Sequence, residues 1–297
     1  MIQTEDVIII GAGPAGLSAA LQLKRYGITP LLLEAGEMGG LLRNANQVEN
    51  YPGFPRGITG SDLVELFKEQ AKNASITVTK GKVVNITHDG MLFQVSTEAE
   101  HYASRIVVVA SGTKPKTFSD LQVPSALEEK VHYEVYSLLH LVGRHLTIVG
   151  AGDAAFDYAL NLGENNQITI LNRGEKIKCL PLLWERAALS PNITYLEKTR
   201  LVEISESPDD GIKLNCVSPE GALQLSTDYL IGAIGREAQL DFMPDNCQES
   251  YQILENQGML YQIGDVCNGI YRQTSIAVGQ GVLTAMKIYR CLKETTI

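Results

Sequence analysis

The chain lacks several features that mark whole classes of protein. Its apolar runs, such as Leu31 to Leu33 and Val107 to Ala110, fall far short of the roughly 18 residues that cross a bilayer. It has no excess of positive charge: 25 Lys and Arg stand against 34 Asp and Glu, a formal net charge of −9. That removes the sequence-independent attraction to nucleic acid or anionic membrane which clustered cations provide. It has only five cysteines, Cys179, Cys216, Cys247, Cys267 and Cys291, and no Cys-x-x-Cys among them. A disulfide scaffold, a zinc knuckle and a dithiol redox pair all lack their spacing, and the cysteines read as buried structural thiols. His132, His140 and His145 have no ligand spacing with each other or with cysteine, so no metal site is expected. No basic segment precedes the first apolar run. A soluble, cytoplasmic protein with neither nucleic-acid nor membrane partners is the expectation.

What is present is ordinary globular composition at two-domain length: 297 residues, 44% hydrophobic and 20% charged. A short β-branched run from Asp6 to Ile10, a helix-periodic stretch from Pro14 to Tyr26 and a second run from Pro30 to Glu34 read as β-α-β. The pattern returns as Leu146 to Val149, Asp153 to Leu162 and Gln167 to Leu171. Two such units imply two nucleotide-binding domains. Between them, Ile76–Val78 and Leu92–Val95, with Asp89-Gly90 as a turn, predict an antiparallel pair. Arg105 to Ala110 predicts a buried parallel strand. Leu260 to Ile263, followed by a helix from Thr274 to Leu292, rejoins the first domain.

The chemistry sits at the turns. Gly11-x-Gly13-x-x-Gly16 follows a strand and opens a helix, so its backbone can approach a pyrophosphate at a helix N-terminus. Glu34, 23 residues past Gly11 and at the next strand end, offers a carboxylate to ribose hydroxyls. Gly150-x-Gly152-x-x-Ala155 repeats the arrangement. Its strand end reads Asn172-Arg173, with Lys176 and Lys178 beyond and no carboxylate to reject a 2′-phosphate. NADP is therefore favoured over NAD.

GAGPAGLSAA near the start, Gly39-Gly40 with VENYPGFP at 48–55, VVVASG at 107–112, GAGDAA at 150–155, GDV at 264–266 and YRQ at 271–273 occur in that order. Together they resemble the low-molecular-weight thioredoxin reductase family of flavoproteins over essentially the whole chain. The resemblance implies an α/β fold of two Rossmann-like, three-layer nucleotide-binding domains in a homodimer. The FAD-binding domain would be discontinuous, 1–115 and 237–297, with an NAD(P)-binding-like domain at 116–236 and hinges near Pro115–Lys116 and Gly235–Arg236. It also implies that Gly11, Gly13, Pro14, Ala15 and Gly16 hold the FAD pyrophosphate, and Glu34 and Ala35 its adenosine ribose. Gly39, Gly40, Leu41 and Asn50 would lie at the flavin end, with Ala110, Ser111 and Gly112 beside the cofactor. Gly264 and Asp265 would reach the ribityl chain, and Arg272, Gln273 and Thr274 the isoalloxazine. Gly150, Gly152, Asp153, Ala154, Ala155, Asn172, Arg173 and Lys178 would meet NADP(H) or NAD(H).

One departure shapes the functional expectation. The family's Cys-x-x-Cys falls on Tyr133-Glu134-Val135-Tyr136, and tyrosine neither attacks nor resolves a disulfide. Residues 131–160 also resemble ferredoxin(flavodoxin)–NADP reductases of thioredoxin-reductase type. The expected activity is hydride transfer between NADPH and FAD, then single electrons to a ferredoxin or flavodoxin. The flavin carries the chemistry, and no side chain is assigned as acid, base or nucleophile. Alternatives are a relative that uses no pyridine nucleotide, or a nonenzymatic FAD-binding sensor. Tyr133 and Tyr136 read as core packing at a strand start, with flavin stacking or a carrier-docking face as the other options. Arg43 reads as a loop-bonding arginine or as electrostatic support for reduced flavin. Lys176, Lys178, Lys198 and Arg200 form a solvated face or a patch that steers an acidic carrier.

Overall fold

The structure, a computed structural model of the chain, describes residues 3–244 and 248–294. In chain order the first part runs β1 (Gln3–Ile10), α1 (Pro14–Arg25), β2 (Leu31–Glu34), α2 (Gly60–Asn73), β3 (Val78–Lys80), β4 (Val83–His88), β5 (Phe93–Thr97), β6 (His101–Val109) and β7 (Thr113–Pro115). The middle part runs β8 (Val131–His132), β9 (His145–Val149), α3 (Asp153–Gly163), β10 (Gln167–Leu171), α4 (Pro181–Leu189), β11 (Ile193–Leu196), β12 (Arg200–Glu206), β13 (Ile212–Ser218), β14 (Gly221–Thr227) and β15 (Tyr229–Gly232). The return runs β16 (Arg236–Ala238), α5 (Gln248–Asn256), β17 (Leu260–Gln262) and α6 (Thr274–Glu294). The described residues within 1–43, 48–114 and 237–297 form one compact unit, and 44–47 with 115–236 form another. Both are Rossmann-like α/β units, and the chain as a whole is an α/β protein of two nucleotide-binding folds. Among the described residues no helix is long and apolar enough to cross a membrane.

In the first unit β3, β2, β1 and β6 pair in that order, all parallel. The unbroken apolar run of β1 is what a strand covered on both faces requires. Val7 and Ile9 enter one core with the α1 residues Leu17, Ala20 and Leu23. Ile8 and Ile10 enter the other, with Ile86, Phe93 and Val95 of the β4–β5 hairpin. β6 does the same with Ile106 and Val108 against Val107 and Val109. It also changes partner along its length: residues 101–104 pair antiparallel with β5, and 107–109 pair parallel with β17. Proline at the first position starts α1, where its missing N–H is no loss. The side chain of Thr59 accepts from Asp62 N–H to cap α2.

The second unit repeats the plan with a parallel sheet in the order β11-β10-β9-β15-β8. On one face Leu146, Ile148, Ile168 and Ile170 pack with Phe156, Ala159 and Leu162 of α3. On the other, Leu171 and Leu230 pack with Leu201, Ile204, Ile212 and Leu214 of the antiparallel sheet β12-β13-β14.

Two expectations for the strands need correction. Residues 78–80 belong to the parallel strand β3 beside β2, and the antiparallel partner of β5 is β4. The three strands β12 to β14 were not anticipated. The expectation of buried thiols holds for Cys216 alone among the described cysteines: Cys179 and Cys291 are half-buried and Cys267 is exposed. Cys247 lies outside the described residues.

Candidate dinucleotide sites

In the first unit the turn between β1 and α1 is held by backbone bonds. Gly11 N–H donates to Leu33 O at 2.8 Å, and Gly39 N–H donates to Ala12 O at 2.9 Å. Gly11 has φ +104°, and a Cβ there would lie 2.4 Å from Ala110 O, so only glycine fits. A Cβ at Gly16 would lie 1.9 Å from Gly11 O. Gly13, by contrast, opens on free space, with nothing within 4 Å of where a Cβ would stand. Glu34, at the end of β2, accepts from Ala12 N–H at 2.7 Å and from Gly36 N–H at 2.8 Å. Each of its oxygens keeps a further lone pair for another donor.

Of the other residues expected in this site, Gly40 and Gly264 lie against that turn. A Cβ at Gly40 would lie 3.5 Å from Gly13 Cα, and one at Gly264 would lie 2.9 Å from the Ala15 Cβ. Asn50 donates to Gln273 Oε1 at 2.8 Å across 223 residues of sequence, and Ser275 donates to Asn50 O at 3.2 Å. Ser111 Oγ donates to Gln239 O at 2.7 Å, next to the buried Ala110. Arg272, Gln273 and Thr274 stand at the N-terminal end of the 21-residue α6, where the helix dipole is positive. The Arg272 Nε is buried without a partner. Leu41 lies in the 3-10 turn Gly40–Asn44, Asp265 in the turn Gly264–Val266, Gly112 follows β6 and Ala35 is exposed after β2. Gln280 was missed. Its Oε1 accepts from Gly264 N–H at 2.7 Å, and it exchanges hydrogen bonds with Asn268, which fixes the Gly264 turn from α6. A lone glutamine inside a helix gives no signal of this in sequence. Arg43 Nε donates to Gly40 O at 3.0 Å, the loop bond of the simpler reading.

In the second unit Gly150 N–H donates to Leu171 O at 2.9 Å, and Lys178 N–H donates to Ala151 O at 2.9 Å. Gly150 has φ +137°, and a Cβ there would meet Ala233 O at 2.2 Å, while Gly152 is open. Ala155 is buried and Ala154 exposed on α3. Asp153, in the first turn of α3, accepts from Leu180 N–H at 2.8 Å. Asn172 is buried and fully engaged: it donates to Lys176 O and to the Tyr195 hydroxyl, and accepts from Gly174 N–H. Arg173 beside it is exposed.

Tyr133 packs its ring 5.5 Å from that of Phe118, and its hydroxyl accepts from Phe118 N–H at 3.1 Å. Tyr136 is 42% exposed and not core. The Asn44 side chain accepts from both Val135 and Tyr136 N–H, at 3.0 and 2.9 Å, and Glu134 pairs with Arg236 at 3.0 Å. Nearby on α3, burial raises the Asp157 carboxyl to about 6, against the opposing hydrogen bond from Asn46 N–H.

The sequence profile of the pyridine nucleotide-disulphide oxidoreductases matches residues 5–281. The chain belongs to that family. It is 28% identical to the thioredoxin reductase of Mycolicibacterium smegmatis over 97% of both chains, and 27% identical to that of Borreliella burgdorferi over 97% of this chain and 92% of the relative. Among solved structures, the T. acidophilum thioredoxin reductase aligns with TM-score 0.81 at 25% identity, covering 97% of this chain and 98% of that one. The Lactococcus lactis enzyme shares the fold at TM-score 0.85 and 24% identity, over 98% and 99% of the two chains.

The chain is thus an FAD-dependent oxidoreductase linked to NAD(P)H, and the residues present fit both cofactors. Gly13 and Gly152 leave the room a pyrophosphate needs, and Arg272 keeps an orphaned buried donor just before the start of α6. The expectation of a ferredoxin or flavodoxin partner does not hold, nor do its alternatives of a flavoprotein without pyridine nucleotide or a nonenzymatic sensor. Relatives matched over nearly the full length are named thioredoxin reductases.

Proposed function

We propose that this enzyme takes electrons from NADPH and delivers them to a disulfide substrate of the thioredoxin type. The observation that carries the reading is the match to thioredoxin reductases across 97% of the chain, both glycine motifs included. In this reading Gly11, Gly13 and the start of α1 hold the FAD pyrophosphate, Glu34 takes the adenosine ribose, and Asn50, Arg272 and Gln273 hold the flavin end. The start of α3 with Gly152 holds the NADPH pyrophosphate. Bound FAD supplies a centre that accepts a hydride and passes on two electrons.

The chain has no Cys-x-x-Cys, and Tyr133 and Tyr136 stand where the resemblance places the two sulfurs. The substrate therefore brings the reacting disulfide. Anaerobic stopped-flow mixing with NADPH is expected to bleach the flavin, and adding oxidised thioredoxin is expected to restore its absorbance while free thiols appear. A flavin bleached by NADPH but indifferent to oxidised thioredoxin would remove the substrate from this proposal.

A further inference from the structure

Beyond the last paired residues of β10 and β11, Leu171 and Leu196, the two segments stay bonded to each other. Asn172 N–H donates to Leu196 O, Thr199 N–H donates to Asn172 O at 2.9 Å, and Lys198 N–H donates to Gly174 O at 3.0 Å. These bonds bracket Arg173 and set Lys198 beside it. Arg173 is exposed and has no hydrogen bond or ion pair among the described residues. Lys198 sits at φ +50°, one of three non-glycine residues with positive φ among those described. That region is unfavourable for a residue with a Cβ, and sparsely populated backbone held in place by its surroundings is a pointer to function.

The charges nearby sort themselves in one way. The end of the second strand is where a Rossmann unit reads the ribose, with a carboxylate for a 2′-hydroxyl or a cation for a 2′-phosphate. Asn172 at that point is neutral and turned inward. The acid in the same loop, Glu175, is bound to Lys198 Nζ at 3.0 Å, with the lysine side chain 43% and the glutamate 73% exposed. That bond raises the Lys198 ammonium above its usual range, with Glu197 adding to the same effect. A dianionic phosphate is a stronger partner for this lysine than one carboxylate.

We propose that Lys198, reaching in from the neighbouring strand end, completes a 2′-phosphate subsite with Arg173, and that Glu175 occupies Lys198 until the phosphate displaces it. The site is then a two-cation clamp built from two strand ends, with an internal carboxylate as placeholder. This rests on the reading of the second unit as the NADPH site.

The test is calorimetric titration of the FAD-loaded oxidised enzyme with adenosine 2′,5′-bisphosphate and with 5′-AMP, which differ only in the 2′-phosphate. Lys198→Ala is expected to weaken the bisphosphate about tenfold and leave 5′-AMP within about twofold. Lys198→Arg is expected to restore it, and Glu175→Gln to tighten the bisphosphate about threefold at low salt. A Lys198→Ala enzyme that binds the bisphosphate as tightly as the parent, while Arg173→Ala weakens it, would leave Arg173 acting alone and overturn the proposal. Equal weakening of both probes by Lys198→Ala would make the lysine structural and overturn it too. Failure of the parent enzyme to bind either probe would instead overturn the nucleotide-site reading on which the clamp depends.

Discussion

In the first glycine motif Gly11 N–H donates to Leu33 O and Gly39 N–H closes the return on Ala12 O; in the second, Gly150 N–H donates to Leu171 O and Lys178 N–H closes on Ala151 O. The turn after each second strand is also repeated, with Gly36 N–H on the Glu34 carboxylate and Gly174 N–H on the Asn172 amide. The frames agree in these bonds, and the electrostatics do not. One strand end presents a carboxylate followed by Ala35, the other a buried amide followed by Arg173. A Rossmann frame therefore fixes where a dinucleotide lies, while two or three residues past the second strand decide which one it is.

The largest test of this comparison is at the third position of each motif. Gly16→Ala would press a Cβ against Gly11 O, and it is expected to cost more than about 3 kcal/mol and leave a protein that retains no flavin. The mirror change Ala155→Gly fills no space and is expected to cost about 1 kcal/mol. Flavin absorbance and thermal unfolding read both, and equal effects would break the comparison.

Next come the strand ends. Glu34→Gln should weaken FAD binding about tenfold by equilibrium titration, since it removes a charged acceptor. Asn172→Asp places a buried carboxylate against Lys176 O in place of a donor, and should cost about 2–3 kcal/mol while weakening NADPH more than NADH.

A smaller effect follows from the helices. Five residues past the open glycine, α1 carries Ser18 and α3 carries Asp157. Burial holds the Asp157 carboxyl at about 6, above an unfolded value of about 3.9. Between these values the folded state binds more protons than the unfolded, so this group's contribution to stability is present at low pH and lost as pH rises through about 6. Asp157→Asn should flatten that slope and raise the midpoint of thermal unfolding at pH 7.5. Smallest is Asp153→Ala, which removes a carboxylate from the α3 N-terminus and its bond to Leu180 N–H. It should cost about 0.5–1 kcal/mol and tighten NADPH slightly.

The parallel strands and the glycine turns were legible because continuous β-branched runs ending in G-x-G-x-x-G are local signals. Two of the strands that were missed share a cause. β4 carries a register shift between Val83 and Asn85, and β12 one between Leu201 and Glu203, and each breaks the period-2 alternation that sequence reading relies on. Ile76–Val78 reads as a strand, but whether it pairs parallel with β2 or antiparallel elsewhere is a long-range choice with no local mark. Within the sites, residue types were visible and their engagement was not. Asn172 looks free to meet a ribose until Tyr195 and Lys176 are placed around it. Gln280 carried no pattern at all.

The divided pairing of β6 has a consequence for how the protein comes off the ribosome. Its second half is flanked by β1, made early, and by β17, which comes more than 150 residues after β6 begins. The second unit's sheets are complete by Gly232, so it can close while the first still lacks a strand. During that interval the first sheet exposes the unpaired Val107 to Val109 edge, an apolar edge open to pairing with other chains.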